Sequence, residues 1–468
     1  MIEFAPKYGY LPITFPRDPV EVNQFPEHIV LGQILSPLIE TDADGNLLPG
    51  IARRWEFSKD RKTIIFELDS SYKFDNGNQV TSGDVKYSID RHLSGRSQSR
   101  NFLSSIQEIQ APSPNEIHII LKEPDTAIIK ALSRDHLGIL PKGWVFDKSS
   151  DRPYISSGPY SLIKEGERWH LKKNLHYGKA REVNIPNWDL IYFASSGLEL
   201  PIDEIPDVVL FASFEMVQEF KKLVDRNLED FKIDPIPSFL QTSAWFYPHG
   251  KDYGSEAARF EVMALIDRLV SESLESTEFE RATGVVPMGV AGHLLRPMRF
   301  LDVKVAKNRK VKIAQLGNLY DFIFESDFSK NFLEKQNIDL EIIRVGGPTI
   351  ADLPTKRPDV IFAAWAGGFN DPDGFLPILS SILQTDAKQY LSLVSKSYLE
   401  ARSEGDWTKR SSLFEELNSK LVENRHMVPG WKIPTYSITR NKYVNAQKGF
   451  RYTPRLSKVV RQVQVNFQ

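Results

Sequence analysis

The 468-residue sequence predicts an α/β protein of two or three domains. Three observations carry that expectation. A chain this long exceeds what a single hydrophobic core organises, since such cores stop growing at about 250–300 residues. Strand and helix signals alternate throughout, with no internal repeat, low-complexity segment or Gly/Ser-rich linker. The last third reads as strand–helix–strand: Val311 to Leu316, a helix over Phe322 to Lys335, then strands over Leu340 to Val345 and Val360 to Trp365. Continuous apolar strands of this kind belong in a sheet covered on both faces.

The elements follow in chain order. Thr63 to Leu68 reads as a strand, and Asp75-Asn76-Gly77-Asn78 as a turn, because Asn and Gly tolerate positive φ. Thr81 and Asp84 resemble a capping box opening a helix with Val85, Ile89 and Leu93 on one face. Glu116 to Leu121 alternates polar and apolar residues, as a half-buried strand does. Pro141, Pro153 and Gly158-Pro159 mark a crossing of the chain between lobes. Trp188 to Phe193 and Val208 to Phe211 are short strands, and Ser213 caps a helix with Val217, Phe220 and Val224 inward. A further helix starts near Ser255 with Phe260, Met263, Ala264 and Val270 inward. Helices near Tyr390–Arg402 and Thr408–Arg425 close the series. In the second of these, Leu413, Leu417 and Leu421 form a core stripe.

Composition excludes several classes. A net charge of −2 gives no basic surface for nucleic acid or anionic membrane. The absence of cysteine excludes disulfides, thiolate metal sites and a cysteine nucleophile. No apolar run reaches the roughly 18–20 residues that span a bilayer. No phosphate loop, GxSxG elbow or HExxH helix is present, and His170 and His176 lie at no zinc spacing. Asp371 and Asp373 are paired carboxylates in a loop too short for an EF-hand; Asn370 or Asp371 is expected to cap a helix that starts at Pro372 and runs through Phe375 and Ile378. Neither an enzyme nor a cofactor or metal site is expected.

From Leu48-Pro49-Gly50-Ile51-Ala52-Arg53-Arg54-Trp55-Glu56 onward the chain resembles the peptide/nickel/opine group, family 5, of ABC-transporter solute-binding proteins. The carriers are Thr63 to Leu68, Lys73-Phe74-Asp75-Asn76-Gly77, and Val80-Thr81-Ser82-Gly83-Asp84-Val85-Lys86-Tyr87-Ser88. Ser157 to Leu162 with Leu171 to Tyr177, Phe260 to Arg268, Asp359 to Phe375 and Arg410 to Pro429 match in the same order.

The resemblance implies a type II (cluster C) periplasmic-binding-protein fold, two lobes with a hinge plus an extra third domain. Lobe I is then 1–49, 154–235 and 437–468, the extra domain 50–153, and lobe II 236–436. It implies a monomeric, extracytoplasmic subunit, periplasmic or at the cell surface with its leader removed. That subunit captures a peptide-like or other small solute in a closing cleft and delivers it to a membrane permease. The start, Met1 to Pro6, itself has neither the basic nor the apolar region of a signal peptide. The alternative keeps the fold as a cytosolic ligand-sensing module of the regulator type.

By the same resemblance, ligand backbone pairs with an extended segment, Phe25-Pro26-Glu27-His28-Ile29, and with Ala364-Trp365-Ala366. Trp365 is then a flat cleft wall or a core residue. Glu27 and His28 line the site or serve locally, and Trp245, Tyr247 and Trp431 line the pocket or the core. Peptide-binding members place an Asp three residues after the cleft Trp, to hold the ligand's free amine; here that position is Gly368. An ammonium left unpaired in a closed cleft loses on the order of 3–5 kcal/mol, roughly hundreds- to thousands-fold in affinity. Ordinary free-amine peptides are therefore not expected in the usual register unless Glu27 or Asp371 substitutes. The helix Glu261 to Arg268 and the short stretch Gly289 to Lys310 also depart from the family pattern.

Overall fold

A computed structural model describes residues 7–10, 16–22, 25–42, 45–94, 97–100, 102–192, 205–236, 239–247, 256–297, 307–316, 320–345, 356–365, 371–375, 388–444, 456 and 460–461. The chain divides into two compact units. The first is Met1–Ser238 with Pro434–Gln468 and the second is Phe239–Ile433, so the chain passes between them twice.

The first unit is built on a seven-stranded sheet. Its strand order is Phe231–Ile236, Thr435–Arg440, Val208–Ser213, Lys7–Tyr10, Asn187–Tyr192, Arg168–Lys173 and Tyr160–Glu165. Lys7–Tyr10 sits inside the sheet, parallel to both neighbours, with Tyr8 opposite Leu190 on one side and Val208 on the other. A second sheet of four strands, Ala52–Phe57, Thr63–Leu68, Glu116–Leu121 and Ile106–Ser113, is wholly antiparallel. Its two central strands alternate buried and half-exposed residues, as a sheet with one covered face requires. One continuous core runs from Val22 through Phe66 and Ile119 to Leu171 and Trp188. Residues 50–153, expected as an extra domain packed on lobe I, fall within this unit and share its interior, as does the stretch from Pro141 to Pro159. The helix Phe214–Val224 buries Val217 and Phe220 against the strands Val208–Ser213 and Thr435–Arg440. Ser213 caps that helix, accepting from the Met216 N–H at 3.2 Å.

The start of this unit overturns one expectation. Phe25 to Ile29 is helical, the opening of Phe25–Ile34, and not an extended segment. Pro26 falls in the first turn, where its missing N–H is not needed. Leu31, Ile34 and Leu35 are fully buried around this helix. Glycines form its seat: a Cβ on Gly138 would meet Leu35 Cβ at 2.3 Å, one on Gly158 the Ile34 carbonyl carbon at 2.7 Å, and one on Gly32 the Asp135 carboxyl at 2.7 Å.

The helix Ser82–Ser94 opens as its sequence dictates. Asp84 accepts from the Thr81 N–H at 2.8 Å and from its hydroxyl at 2.6 Å, which is the reciprocal half of a capping box. The preceding turn places Gly77 at φ 86°, where a side chain would be strained.

The second unit holds a five-stranded sheet in the order Ile338–Val345, Arg309–Leu316, Val360–Trp365, Gln241–Phe246, Met427–Lys432. The first two pairings are parallel and the last two antiparallel. The helix Glu256–Glu275 buries Val262, Met263, Leu265, Ile266 and Leu269 against Ile313, Val360 and Phe362. The single helix expected over Phe322 to Lys335 is two, Asp321–Phe324 and Asp327–Gln336. Ser326 breaks it by capping the second, accepting from Ser329 N–H at 3.1 Å. The helices Lys388–Ser403 and Trp407–Glu423 follow. In the latter, Phe414, Leu417 and Leu421 are buried, while Leu413 is half-buried. Among the described residues no helix is long and apolar enough to cross a membrane.

Candidate functional site

In the second unit the strand Val360–Trp365 carries the strongest candidate. Its pairing with Gln241–Phe246 runs its full length, from Phe246 opposite Val360 to Gln241 opposite Trp365. On its other side the described pairing with Arg309–Leu316 stops at Gln315 opposite Phe362. Ala363 to Trp365 are therefore held from one side in the described pairings. That is the geometry a ligand backbone uses when it adds to a sheet. The strand's inner face is fixed by Phe362, whose ring meets Tyr320 at 5.0 Å and Phe324 at 5.3 Å. Ala366 and Gly368, expected beyond the strand end, lie outside the described residues.

Trp245 and Tyr247 belong to the neighbouring strand and its exit, 2% and 4% exposed. Ala244 and Phe246 face the helix-covered core, so strand alternation turns Trp245 to the opposite face, where it pairs across to Ile361 and Met427. Trp431 is a correction to the expected ligand set. It is 1% exposed, with Phe279, Tyr320 and Phe322 rings at 6.2, 5.4 and 5.0 Å. Its backbone N–H donates to Thr242 Oγ1 at 2.9 Å, and its indole packs among these rings as core.

Asp371 is a second correction. It caps the short 3-10 helix Pro372–Gly374, accepting from Asp373 N–H at 3.0 Å. Both its oxygens also accept from Arg410, each at 2.7 Å, with both side chains about 1% exposed. A carboxylate so engaged holds the loop and not a ligand amine. The capping reading of this loop is thus what the geometry supports, though Ile378 lies outside the described residues. Beside it Asp373, fully buried, accepts from the Tyr398 hydroxyl and lies 3.6 Å from Arg402. The Arg410 guanidinium also lies 4.8 Å from the Phe414 ring. Sequence reasoning missed Arg410 as the partner of Asp371. The available signal was its place at i, i+4, i+7 with Phe414 and Leu417, a lone base on an otherwise apolar helix face.

The remaining candidates belong to the first unit. Glu27 is fully buried in the first turn of Phe25–Ile34, 3.6 Å from Arg17. Arg17 is tied by its backbone to the Tyr154 hydroxyl. His28 is half-buried, its ring 4.5 Å from that of His136. Neither lies on an extended strand, so this segment offers buried side chains and no backbone edge. Among the described residues, no group of three or more His, Asp or Glu is placed to hold a metal ion.

Residues 46–196 match the family model of bacterial extracellular solute-binding proteins, family 5 Middle. The periplasmic oligopeptide-binding protein OppA of Salmonella typhimurium is 23% identical over 88% of this chain and 84% of its own length. Among solved structures, the murein tripeptide binding protein MppA of Escherichia coli matches with a TM-score of 0.78 at 16% identity, covering 98% of each chain. The periplasmic binding protein DppA of Helicobacter pylori, in complex with a peptide, gives 0.78 at 17% identity over 98% of this chain and 97% of its own. These structural matches establish the fold, the type II periplasmic-binding-protein architecture read from the sequence. Residues 46–196 thus match the middle segment of the family 5 bacterial extracellular solute-binding proteins, and the chain as a whole is similar to periplasmic binding proteins of that kind.

Proposed function

We propose that this chain is the extracytoplasmic substrate-binding subunit of an ABC importer, which takes up a peptide-like solute and passes it to a membrane permease without catalysing a reaction. The observation that carries the reading is the strand end Ala363–Trp365, paired on one side among the described residues, within a chain that matches peptide-binding relatives over nearly its whole length. Ligand backbone adding at that edge would tolerate many side chains, as a scavenging importer needs. A periplasmic location follows from the same relatives. Asp371 is committed to Arg410.

Gly368 carries no carboxylate for a free α-amine, and Asp371 is engaged elsewhere. N-blocked or otherwise amine-free peptide-like solutes should therefore bind better than free-amine peptides. Calorimetric titration of di- to pentapeptides, each with free and with acetylated N-terminus, tests both levels. Micromolar or tighter binding of the acetylated set, with free-amine peptides at least about a hundredfold weaker, is the expected result. Sub-micromolar binding of the free-amine set would overturn the amine argument alone. No binding by any peptide-like solute at millimolar concentration would sink the functional reading.

A further inference from the structure

Three histidines converge inside the first unit from three separate elements. His28 comes from the helix Phe25–Ile34, His92 from Ser82–Ser94 and His136 from the 3-10 helix Asp135–Leu137. The His136 ring lies 4.5 Å from His28 and 5.9 Å from His92, centroid to centroid. His92 and His136 are 2% and 3% exposed. His92 Nδ1 meets the Ser97 hydroxyl at 2.7 Å, and His136 Nε2 is bonded to the buried hydroxyl of Ser99.

The charged groups around this cluster already match one another. From the helix Phe25–Ile34 comes Glu27, with Arg17 at 3.6 Å. From Ser82–Ser94 comes Arg91, paired with Asp18 at the head of the 3-10 helix Pro19–Glu21. From the Asp135–Leu137 turn come Arg134, whose guanidinium lies 4.4 Å from the Phe102 ring, and Asp135, whose carboxylate faces Gly32. Glu21 and Arg100, on the two remaining 3-10 helices that pack here, are exposed. Three cations thus stand against three anions among these groups, so each proton added to an imidazole adds net positive charge to the cluster.

We propose that these three imidazoles form an acid-sensitive joint, fastening the helix Phe25–Ile34 to residues 82–137 while all three are neutral and releasing it when they take up protons. Burial holds the neutral forms: it pushes His92 down to about 3, with Arg91 adding repulsion, and shifts the half-buried His28 in the same direction, with Arg134 adding repulsion. His136 is pushed well below its ordinary range by burial first, then by Arg134 and the two other rings. The unfolded histidines titrate near 6.5, above their folded values. Their contribution is therefore whole above about pH 6.5 and is lost as pH falls toward 3. Each enclosed histidine shifts the unfolding constant by up to about tenfold per pH unit in that window.

Imidazole resonances of the full chain, followed from pH 7.5 to 4.5, test the joint directly. Expected are three imidazoles that do not titrate above about pH 5 while the chain stays folded. Amide-exchange protection over 25–34, corrected for intrinsic rates, should also fall between pH 7 and 5 more than that over 256–275. Replacing His92→Gln should flatten the pH dependence of the unfolding constant by up to about tenfold per pH unit. Any one of the three titrating near 6.5 in the folded chain, or an unchanged slope in a folded His92→Gln variant, overturns the proposal. Should that variant fail to fold, the wild-type resonances decide alone.

Discussion

The first unit gathers three neutral rings in one place beside its matched ions, whereas the buried polar groups described in the second are mainly matched ions. His92 and His136 sit in the first interior beside Ser97 and Ser99. In the second interior Asp371 faces Arg410, Asp373 faces Arg402 and Tyr398, and Asp267 faces Arg281. Among its described residues the second unit also holds a comparable ring, His426, which burial pushes down to about 3. Neutral rings are lost by gaining protons, over a pH range that a carboxylate–guanidinium pair does not share. The two units should therefore fail under different conditions, the first with mild acid and the second by loss of a partner.

The largest expected effect breaks a matched pair. Arg410→Met leaves Asp371 charged and enclosed, which should destabilise the second unit by about 3–5 kcal/mol. Urea unfolding followed by exchange mass spectrometry should show the loss in peptides of 239–433 and leave 52–121 unchanged. A smaller effect is expected where the first unit is packed to backbone width. Gly32→Ala puts a methyl 2.7 Å from the Asp135 carboxyl and should lower stability by about 1–3 kcal/mol. The loss should appear in the first unit at pH 7.5, where the histidines are neutral in either state. The smallest expected change is Lys86→Met, which removes an exposed i,i+4 pair with Asp90 at 2.9 Å. It should move stability by less than about 0.5 kcal/mol at any pH and so calibrates the other two.

Much of this was legible in local sequence. Thr63 to Leu68, Glu116 to Leu121 and Val360 to Trp365 fall where their alternation or continuous apolarity puts strands. The Thr81–Asp84 cap and the Ser213 cap are short-range hydrogen bonds, written in adjacent residues. The misses are long-range. Nothing near Phe25 announces that Asp135 to Gly138 and Gly158 will make a seat for a helix there, over a hundred residues away. The Asp371–Arg410 pair spans 39 residues, and the loop's own sequence announces the cap but not the guanidinium that holds it. Trp431 shows the limit for aromatics: cleft wall and core filler have the same composition, and only its neighbours Phe279, Tyr320 and Phe322 decide.

The placement of Lys7–Tyr10 between Asn187–Tyr192 and Val208–Ser213 bears on the order of assembly. Once made, this strand waits for some two hundred further residues before both its edges are satisfied. Thr435–Arg440, which belongs to the same sheet, is made only after the whole of the second unit. The second unit is one uninterrupted stretch and needs no such delay. A nascent chain stalled just past residue 433 would thus carry a finished insert inside an unfinished host, with raw sheet edges for chaperones to cover.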